Sequence, residues 1–229
     1  LDSATTIADL NRTLGKLTDL YIMDDGEGMT RAIVESLWMT IGTNNKVNNI
    51  ISNNNRIRTG AKGIGRFALD RLGESCEMLT STDLNTGILS WKVDWGEFEK
   101  ENAILEDVTA TIEELTNKEK LWSNSWASLN LANNFEVKKH GTIFKISGLR
   151  DLWDEKSIEN IYATLKELTP IEVIDKFKLW LYSSEFSNRF GEVINDSSND
   201  YDYKIVANST KGEVTIDIYR NEYNVNAIP

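Results

Sequence analysis

Two glycine-containing segments hold the residues whose types and spacing could do chemistry. The first is Asp24-Asp25-Gly26-Glu27-Gly28-Met29, in which carboxylates precede two closely spaced glycines. A carboxylate there can accept a hydrogen bond from an exocyclic amino group, and glycines let a flat ring approach the backbone. Taken alone, the segment is better explained as an acidic turn. It lacks the D-x-[DN]-x-[DN]-G pattern of a calcium-binding EF-hand loop.

The second segment, Gly60-Ala61-Lys62-Gly63-Ile64-Gly65, opens a predicted helix. Backbone N–H groups at a helix start attract anions such as phosphates, and glycines let them come close. The surrounding stretch from Gly42 to Gly73 carries six basic residues against one acid. The segment lacks the Gly-Lys-Ser/Thr ending of a Walker A loop. Residues 63–68 fit a dinucleotide-binding fingerprint, but an asparagine-rich stretch precedes them instead of a buried strand. Alone, a tight surface turn explains these glycines about equally well.

Regular elements are predicted around both segments. The apolar run Leu20–Met23 indicates a buried strand that leads into the acidic turn. Thr30 is a plausible N-cap for a helix that ends at Gly42 and whose inner face would hold Ile33, Val34, Leu37, Trp38 and Ile41. Seven asparagines in residues 43–55 indicate a long polar loop. A second helix is predicted from about Ile64 to Leu72, with Phe67, Ala68 and Leu72 facing inward and Gly73 as its stop.

Further along, the patterns predict mainly strands. We expect a hairpin of Glu77–Thr82 and Ile88–Val93, strands at Val108–Ile112, Gly141–Ile146 and Phe177–Tyr182, an amphipathic helix from Ile158 to Leu168 before Pro170, a linker at Asn195–Asp200, and a final hairpin of Tyr203–Ala207 and Glu213–Tyr219. This mixture without regular βαβ alternation predicts an α+β fold, a mixed β-sheet with helices on one face. We expect one domain over residues 1–170 and a C-terminal extension over residues 171–229 that would begin a transducer-like domain.

The amino-acid composition argues against several classes of function. The chain has 229 residues, with 25 basic and 36 acidic side chains and a formal charge of −11, which disfavours general binding of nucleic acid or anionic membranes. The single cysteine, Cys76, fits a reducing cytosol, so a cytoplasmic location is expected. One Cys and one His argue against a Cys/His zinc site within this chain. No apolar run is long enough to predict a membrane span.

In order along the chain, these motifs resemble the GHKL ATPase superfamily, which includes gyrase B subunits, ninety-kilodalton heat-shock chaperones, histidine kinases, MutL and MORC proteins. The resemblance covers about residues 18–150. It rests on Asp24-x-Gly26-x-Gly28-Met29 after a strand, Trp38-Met39-Thr40-Ile41-Gly42-Thr43, Gly60-x-x-Gly63-x-Gly65 before a helix, and Gly141-Thr142 on a strand. It is strongest to bacterial heat-shock-chaperone-like or MORC-like ATP-binding proteins, several of which occur in anti-phage defence systems.

The resemblance implies a Bergerat-type two-layer sandwich that binds ATP with Mg²⁺. Asp24 would accept the adenine amino group, Gly26, Gly28 and Met29 would line the base pocket, and Thr142 would contact the base or a bridging water. Residues 43–59, including Thr43 and Lys46, would form the ATP lid. The phosphates would meet the backbone of Gly60, Ala61, Lys62, Gly63, Ile64 and Gly65. For Lys62 and Lys46, a solvated lysine is an equally good interpretation.

One departure from the superfamily pattern concerns catalysis. The superfamily has an earlier helix with E-x-x-x-N, whose Glu activates water and whose Asn holds magnesium, whereas residues 1–26 contain no Glu. We expect the chain to start after that helix, so the catalytic residues are unknown and the metal ligand lies upstream. The leading hypothesis is an ATPase module whose lid closure drives homodimerisation and signals to an effector protein or domain.

Two alternatives differ from this hypothesis. A nucleotide-sensing interaction domain without hydrolysis would explain the missing Glu and Asn. A histidine kinase is disfavoured because His140, the only histidine, precedes a predicted strand and is better explained as a structural residue. A role in anti-phage defence rests on the resemblance alone.

Overall fold

The computed structural model of the chain describes residues 6–38, 68–83, 87–96, 109–115, 140–169, 178–195 and 201–221. The chain divides into two compact units, Leu1–Trp153 and Asp154–Pro229. Across the described ranges, no helix combines the length and apolar character needed to cross a membrane. The predicted domain boundary between residues 170 and 171 stays a prediction.

The first unit is built on a five-stranded antiparallel sheet. The strands are β1 (Asp19–Asp24), β2 (Gly73–Ser81), β3 (Ile88–Asp94), β4 (Thr111–Leu115) and β5 (Gly141–Leu149). Their order in the sheet is β1-β5-β2-β3-β4, so β5 lies between β1 and β2. β1 therefore pairs with a strand more than a hundred residues away, and this pairing brings the acidic turn beside Gly141 and Thr142.

Three helical segments accompany this sheet. They are α1 (Ile7–Lys16), α2 (Arg31–Ile33), which continues as a π-helical stretch over Val34–Trp38, and α3 (Leu69–Leu72). Side chains from the π-helical stretch and from α3 pack with residues of the strands, whereas Ile33 of α2, predicted to face inward, is exposed. The buried cluster consists of Val34, Leu69, Cys76, Met78, Leu89, Trp91, Ile146 and Leu149. Each fully buried large side chain, such as Met78, contributes about 1.5–3 kcal/mol of hydrophobic free energy.

The first helix was not predicted from the sequence. Thr6 caps α1, since its hydroxyl accepts from the Asp9 N–H while the Asp9 carboxylate accepts from the Thr6 N–H. This reciprocal capping box satisfies two backbone donors that a helix start leaves unpaired. Gly15 lets α1 approach β5, because a Cβ there would lie 2.6 Å from the Leu149 carbonyl oxygen.

The α+β class with helices packed on the sheet is confirmed. The predicted cap of α2 is also confirmed, since the Thr30 hydroxyl accepts from the Ile33 N–H. The predicted inward face of α3 is wrong at Ala68, which is exposed, because Leu69 and Leu72 make the packing contacts. Gly73 follows the helix as predicted but has an extended φ of −158°. A side chain at residue 73 would clash with the Ile146 side chain and the Ser147 carbonyl, so close packing explains this glycine.

Several strand limits differ from the predictions. β2 and β3 form the expected hairpin, but β2 begins four residues earlier than predicted, at Gly73. β4 covers Thr111–Leu115, later than the predicted Val108–Ile112, because its pairing with β3 runs from Thr111 opposite Lys92 to Leu115 opposite Ile88. β5 extends past Ile146 to Leu149.

The second unit contains helix α4 (Glu155–Leu168) and a hairpin of β6 (Tyr203–Thr210) and β7 (Glu213–Arg220). Both were predicted from the sequence, with α4 now beginning after an Asp154 N-cap. The predicted strand Phe177–Tyr182 is wrong over its described part, residues 178–182. That segment makes an isolated bridge between Trp180 and Glu192 and not a strand ladder.

Candidate functional site

Three residues from distant parts of the sequence lie side by side across the sheet. Asp24, the last residue of β1, is the register partner of Thr142 on β5. Thr142 is in turn the register partner of Thr80 on β2. Directly paired residues point to the same face of a sheet. The row Asp24–Thr142–Thr80 therefore lies on the face that also carries Phe144 and Met78, where the helical segments pack.

The acidic turn after β1 is fitted closely to the ends of β2 and β5. Gly28 has a φ of +66°, and a Cβ there would come within 1.9 Å of the Ser81 carbonyl oxygen. Gly141 has a φ of +143°, and its Cβ would lie 2.4 Å from the Asp24 carbonyl oxygen. Both positions therefore require glycine, for backbone conformation and for space. The absence of a side chain at Gly28 lets the turn pack against β2. The predicted role of Gly28 in lining a base pocket stays a prediction.

Thr80 links the parts of this site, and the sequence analysis missed it. Its side chain is fully buried, and its Oγ1 accepts from the Met29 N–H at 2.8 Å. The same oxygen lies 3.2 Å from the Gly141 carbonyl oxygen and 3.1 Å from Thr142 Oγ1. Threonine is common in strands, so only the register could have distinguished Thr80.

Two further hydrogen bonds hold the turn in place. Asp24 Oδ1 accepts from the Gly26 N–H at 2.9 Å, which folds the turn back onto the acid. His140 Nδ1 donates to the Gly26 carbonyl oxygen at 2.6 Å, which joins the turn to the start of β5. This contact supports the structural interpretation of His140. The Asp24 carboxylate is thus held in one orientation by the backbone around it.

The environment of the Asp24 carboxyl suits the binding of a ligand that donates a hydrogen bond. Its side chain reaches solvent, yet the surrounding protein partly desolvates the carboxyl and raises its pKa. The Gly26 N–H opposes this effect, and the neighbouring Asp25 charge adds to it. Among the described residues, Oδ2 of Asp24 has no hydrogen-bond donor. A partly desolvated acceptor of this kind is available to an amino group.

Aromatic side chains extend the same face of the sheet beyond Thr142. Trp38, at the end of the π-helical stretch, stacks on Phe144 with ring centroids 5.3 Å apart. It also meets Trp91 edge to face, at 5.9 Å. Such pairs add about 0.5–1.5 kcal/mol to the burial of their area. They fix the position of Trp38, which precedes the predicted lid, residues 43–59, in the sequence.

The other predicted ligand-binding residues lie outside the described part of the chain. They are Thr43, Lys46, Gly60, Ala61, Lys62, Gly63, Ile64 and Gly65. Of the predicted set, the structure brings together Asp24, Gly26, Gly28, Met29 and Thr142. Within the described ranges, no group of three or more His, Cys, Asp or Glu side chains could hold a metal ion.

An open cleft of about 370 Å³ lies elsewhere on this unit, lined in part by Glu77, Lys92 and Lys145. These residues alternate with the core-facing ones, so their side chains belong to the opposite face of the sheet. Lys92 pairs with Glu77 at 3.3 Å, and Lys145 pairs with Asp19 at 3.1 Å. Burial opposes a charged Lys145, but the hydrogen bond and charge of Asp19 outweigh it and raise its pKa. Both lysines of this cleft therefore have a carboxylate partner.

Comparison with known proteins identifies a protein family. A family model described as "Histidine kinase-, DNA gyrase B-, and HSP90-like ATPase" matches residues 3–125, which is more than half of the chain. The matched span includes Asp24 and Thr80 and ends before Thr142. A search of curated proteins finds no significant match.

Proposed function

The chain belongs to the family of histidine kinase-, DNA gyrase B- and HSP90-like ATPases, and from that premise we propose that it binds ATP with the adenine amino group on Asp24. The observation that carries this proposal is the row Asp24–Thr142–Thr80 across three strands. The row puts one available carboxylate oxygen beside two hydroxyl groups. Adenine offers an amino donor next to the ring nitrogen N1, an acceptor, and this pair complements an acid beside a hydroxyl.

The residues present fit an adenine better than a guanine. Guanine carries a carbonyl oxygen where adenine carries the amino group, and that oxygen would face the Asp24 carboxylate. Two acceptors in contact repel, and a site built to receive a donor rejects a ligand that lacks one. Thr142 is 4% exposed, so its hydroxyl lies at the back of the site, where it would face N1 of the bound base.

Titration of the full chain with a non-hydrolysable ATP analogue tests this proposal. Calorimetry is expected to show binding to the wild-type chain and binding at least about tenfold weaker to Asp24→Asn, since hydrogen bonds to charged groups contribute about 1.5–3 kcal/mol. Asp19→Asn is the matched control, because it changes the first residue of the same strand, on the opposite face. Absence of binding, or equal affinity in Asp24→Asn, would refute the proposal.

We also propose that ATP is hydrolysed and that residues 43–59 close over it as a lid, coupling nucleotide binding to homodimerisation and to signalling in an effector. Family membership and the glycine motif Gly60–Gly65 support this part. Light scattering with and without the ATP analogue tests for dimerisation. Phosphate release tests for hydrolysis, and binding without release would favour the nucleotide-sensing alternative. A role in anti-phage defence is proposed on the motif resemblance alone.

A further inference from the structure

We infer that Thr80 is a positioning residue that sets Thr142 as a hydrogen-bond donor toward N1 of the bound adenine. This inference rests on the proposed function, because it concerns the same base site. It adds a residue that lies behind the site and does not touch the ligand. Thr80 is fully buried on β2, and its polar contacts reach the acidic turn at Met29 and the start of β5 at Gly141 and Thr142.

The single proton of the Thr80 hydroxyl determines how Thr80 positions Thr142. A hydroxyl has one proton to donate and two lone pairs to accept with. Thr80 Oγ1 accepts from the Met29 N–H, which can only donate. Its own proton therefore goes either to the Gly141 carbonyl at 3.2 Å or to Thr142 Oγ1 at 3.1 Å.

The two choices leave Thr142 in different states. If Thr80 donates to Gly141, then Thr142 donates to Thr80 and offers the ligand only lone pairs. If Thr80 donates to Thr142, then the Thr142 proton is released and can point outward. An incoming hydrogen bond also polarises a hydroxyl and makes it a better donor. Adenine N1 is an acceptor, so bound adenine selects the second state.

The Met29 contact ties this choice to the acidic turn. The Met29 N–H occupies one lone pair of the Thr80 oxygen, which leaves the Thr80 proton to bond to the Gly141 carbonyl or to Thr142 Oγ1. Met29 closes the turn that begins at Asp24. Through Met29 and Thr142, the buried Thr80 oxygen therefore positions both the acceptor for the adenine amino group and the donor for N1. This arrangement predicts a contribution to base discrimination as well as to affinity.

The test compares ATP with its 1-deaza analogue, in which a C–H group replaces N1. Calorimetry on the full chain gives the ratio of the two affinities. Thr80→Val keeps the side-chain shape and removes the hydroxyl, and it is expected to lower this ratio by about threefold to tenfold. Thr80→Ser is expected to restore the wild-type ratio. In a Thr142→Val background, Thr80→Val is expected to leave the ratio unchanged.

Ser81→Ala is the matched control. It also removes a buried hydroxyl from β2, but that hydroxyl lies on the other face and donates to the Gly87 carbonyl. The control is expected to keep the wild-type ratio. General loosening of the site weakens both ligands equally, so an unchanged ratio in Thr80→Val overturns the inference. If that variant does not fold, Thr80→Cys, with a weak S–H donor, is expected to give a partial loss of the ratio, and a full wild-type ratio there overturns the inference.

Failure of the inference and failure of the proposed function are distinguishable. If the wild-type chain binds neither nucleotide, the base site itself is refuted. If the wild type binds ATP and Asp24→Asn weakens that binding while Thr80→Val keeps the ratio, only the role of Thr80 is refuted.

Discussion

The backbone of Gly28 lies against the carbonyl of Ser81 so closely that a Cβ on residue 28 would meet that oxygen at 1.9 Å. This contact joins the turn after β1 to the end of β2, two segments more than fifty residues apart in the chain. Because Met29 bonds to Thr80 directly beside it, the turn and the strand are held together at two successive residues. The position of Asp24 thus depends on β2 as well as on β1.

Gly28→Ala is expected to destabilise the first unit by about 2 kcal/mol or more. A left-handed backbone at a non-glycine residue costs of the order of 1–2 kcal/mol, and the clash with Ser81 adds to this. Urea denaturation followed by tryptophan fluorescence measures the change. The same variant is expected to weaken ATP binding, because the turn must move to relieve the clash.

Gly87→Ala provides the control for backbone strain. Gly87 also has a positive φ, of +105°, but its Cβ would lie 3.7 Å from the Leu115 carbonyl oxygen, an ordinary contact. We therefore expect Gly87→Ala to lower the free energy of unfolding only by the cost of a positive φ at an alanine. Equal losses of stability in the two variants would show that the close approach to Ser81 has no effect of its own.

The sequence predicted the parts of the fold that carry strong local signals. The strand before Asp24 follows from an apolar run ended by an acidic turn, and β2 and β3 follow from two apolar runs about one short turn. Helix α1 was missed although Thr6 and Asp9 have capping-box spacing and Ile7, Leu10 and Leu14 have helical spacing. The polar residues between them obscured the pattern.

Other features depend on tertiary structure and could not be predicted. Nothing local to Thr80 indicates that it faces Thr142, because that pairing is set by the register of β2 against β5. The π-helical stretch before Trp38 departs from the helical periodicity that the apolar residues predicted. Packing of Trp38 on Phe144 and Trp91 accompanies this local change of helix geometry.

Asp24→Asn is expected to make the folded chain more stable at pH 7. Desolvation raises the pKa of Asp24 above its ordinary value of 3.8, so the folded state binds more protons than the unfolded state between those two values. Stability falls as the pH rises through that range, and it stays lower above it. Asparagine removes the charge and can still accept from the Gly26 N–H.

Urea denaturation at pH 7 and near pH 4 measures this effect. The stability advantage of Asp24→Asn is expected to shrink toward pH 4, where the wild-type carboxyl takes up its proton. The proposed ATP affinity of the wild type is expected to fall over the same range, because a protonated acid is a poorer acceptor. An Asp24→Asn chain less stable than wild type at pH 7 would contradict the argument.

His140→Leu is expected to destabilise the chain by about 0.5–1.5 kcal/mol and to weaken ATP binding by a few fold. It removes the hydrogen bond from His140 Nδ1 to the Gly26 carbonyl, which fixes the acidic turn to β5. His140→Asn is expected to recover most of both losses, since the asparagine amide nitrogen can occupy the place of Nδ1. Thermal denaturation and calorimetry measure the two effects. No recovery in His140→Asn would show that the bond to Gly26 is not the cause.

Cys76, the only cysteine of the chain, is expected to report on opening of the sheet. Its side chain is 2% exposed on β2, and desolvation, with a smaller effect of the Glu77 charge, raises the pKa of the thiol to about 12. Relative to a thiol with the ordinary pKa of 9.0, the thiolate fraction at pH 8 is lowered by roughly a thousandfold, and the thiolate is the reactive form.

Iodoacetamide is therefore expected to label Cys76 slowly in the native chain at pH 8 and rapidly in the urea-unfolded chain. Because Cys76 lies on the strand that carries Thr80, a bound ATP analogue is expected to slow native labelling further. Rapid labelling of the native chain, at a rate close to that in urea, would show that β2 does not enclose the thiol.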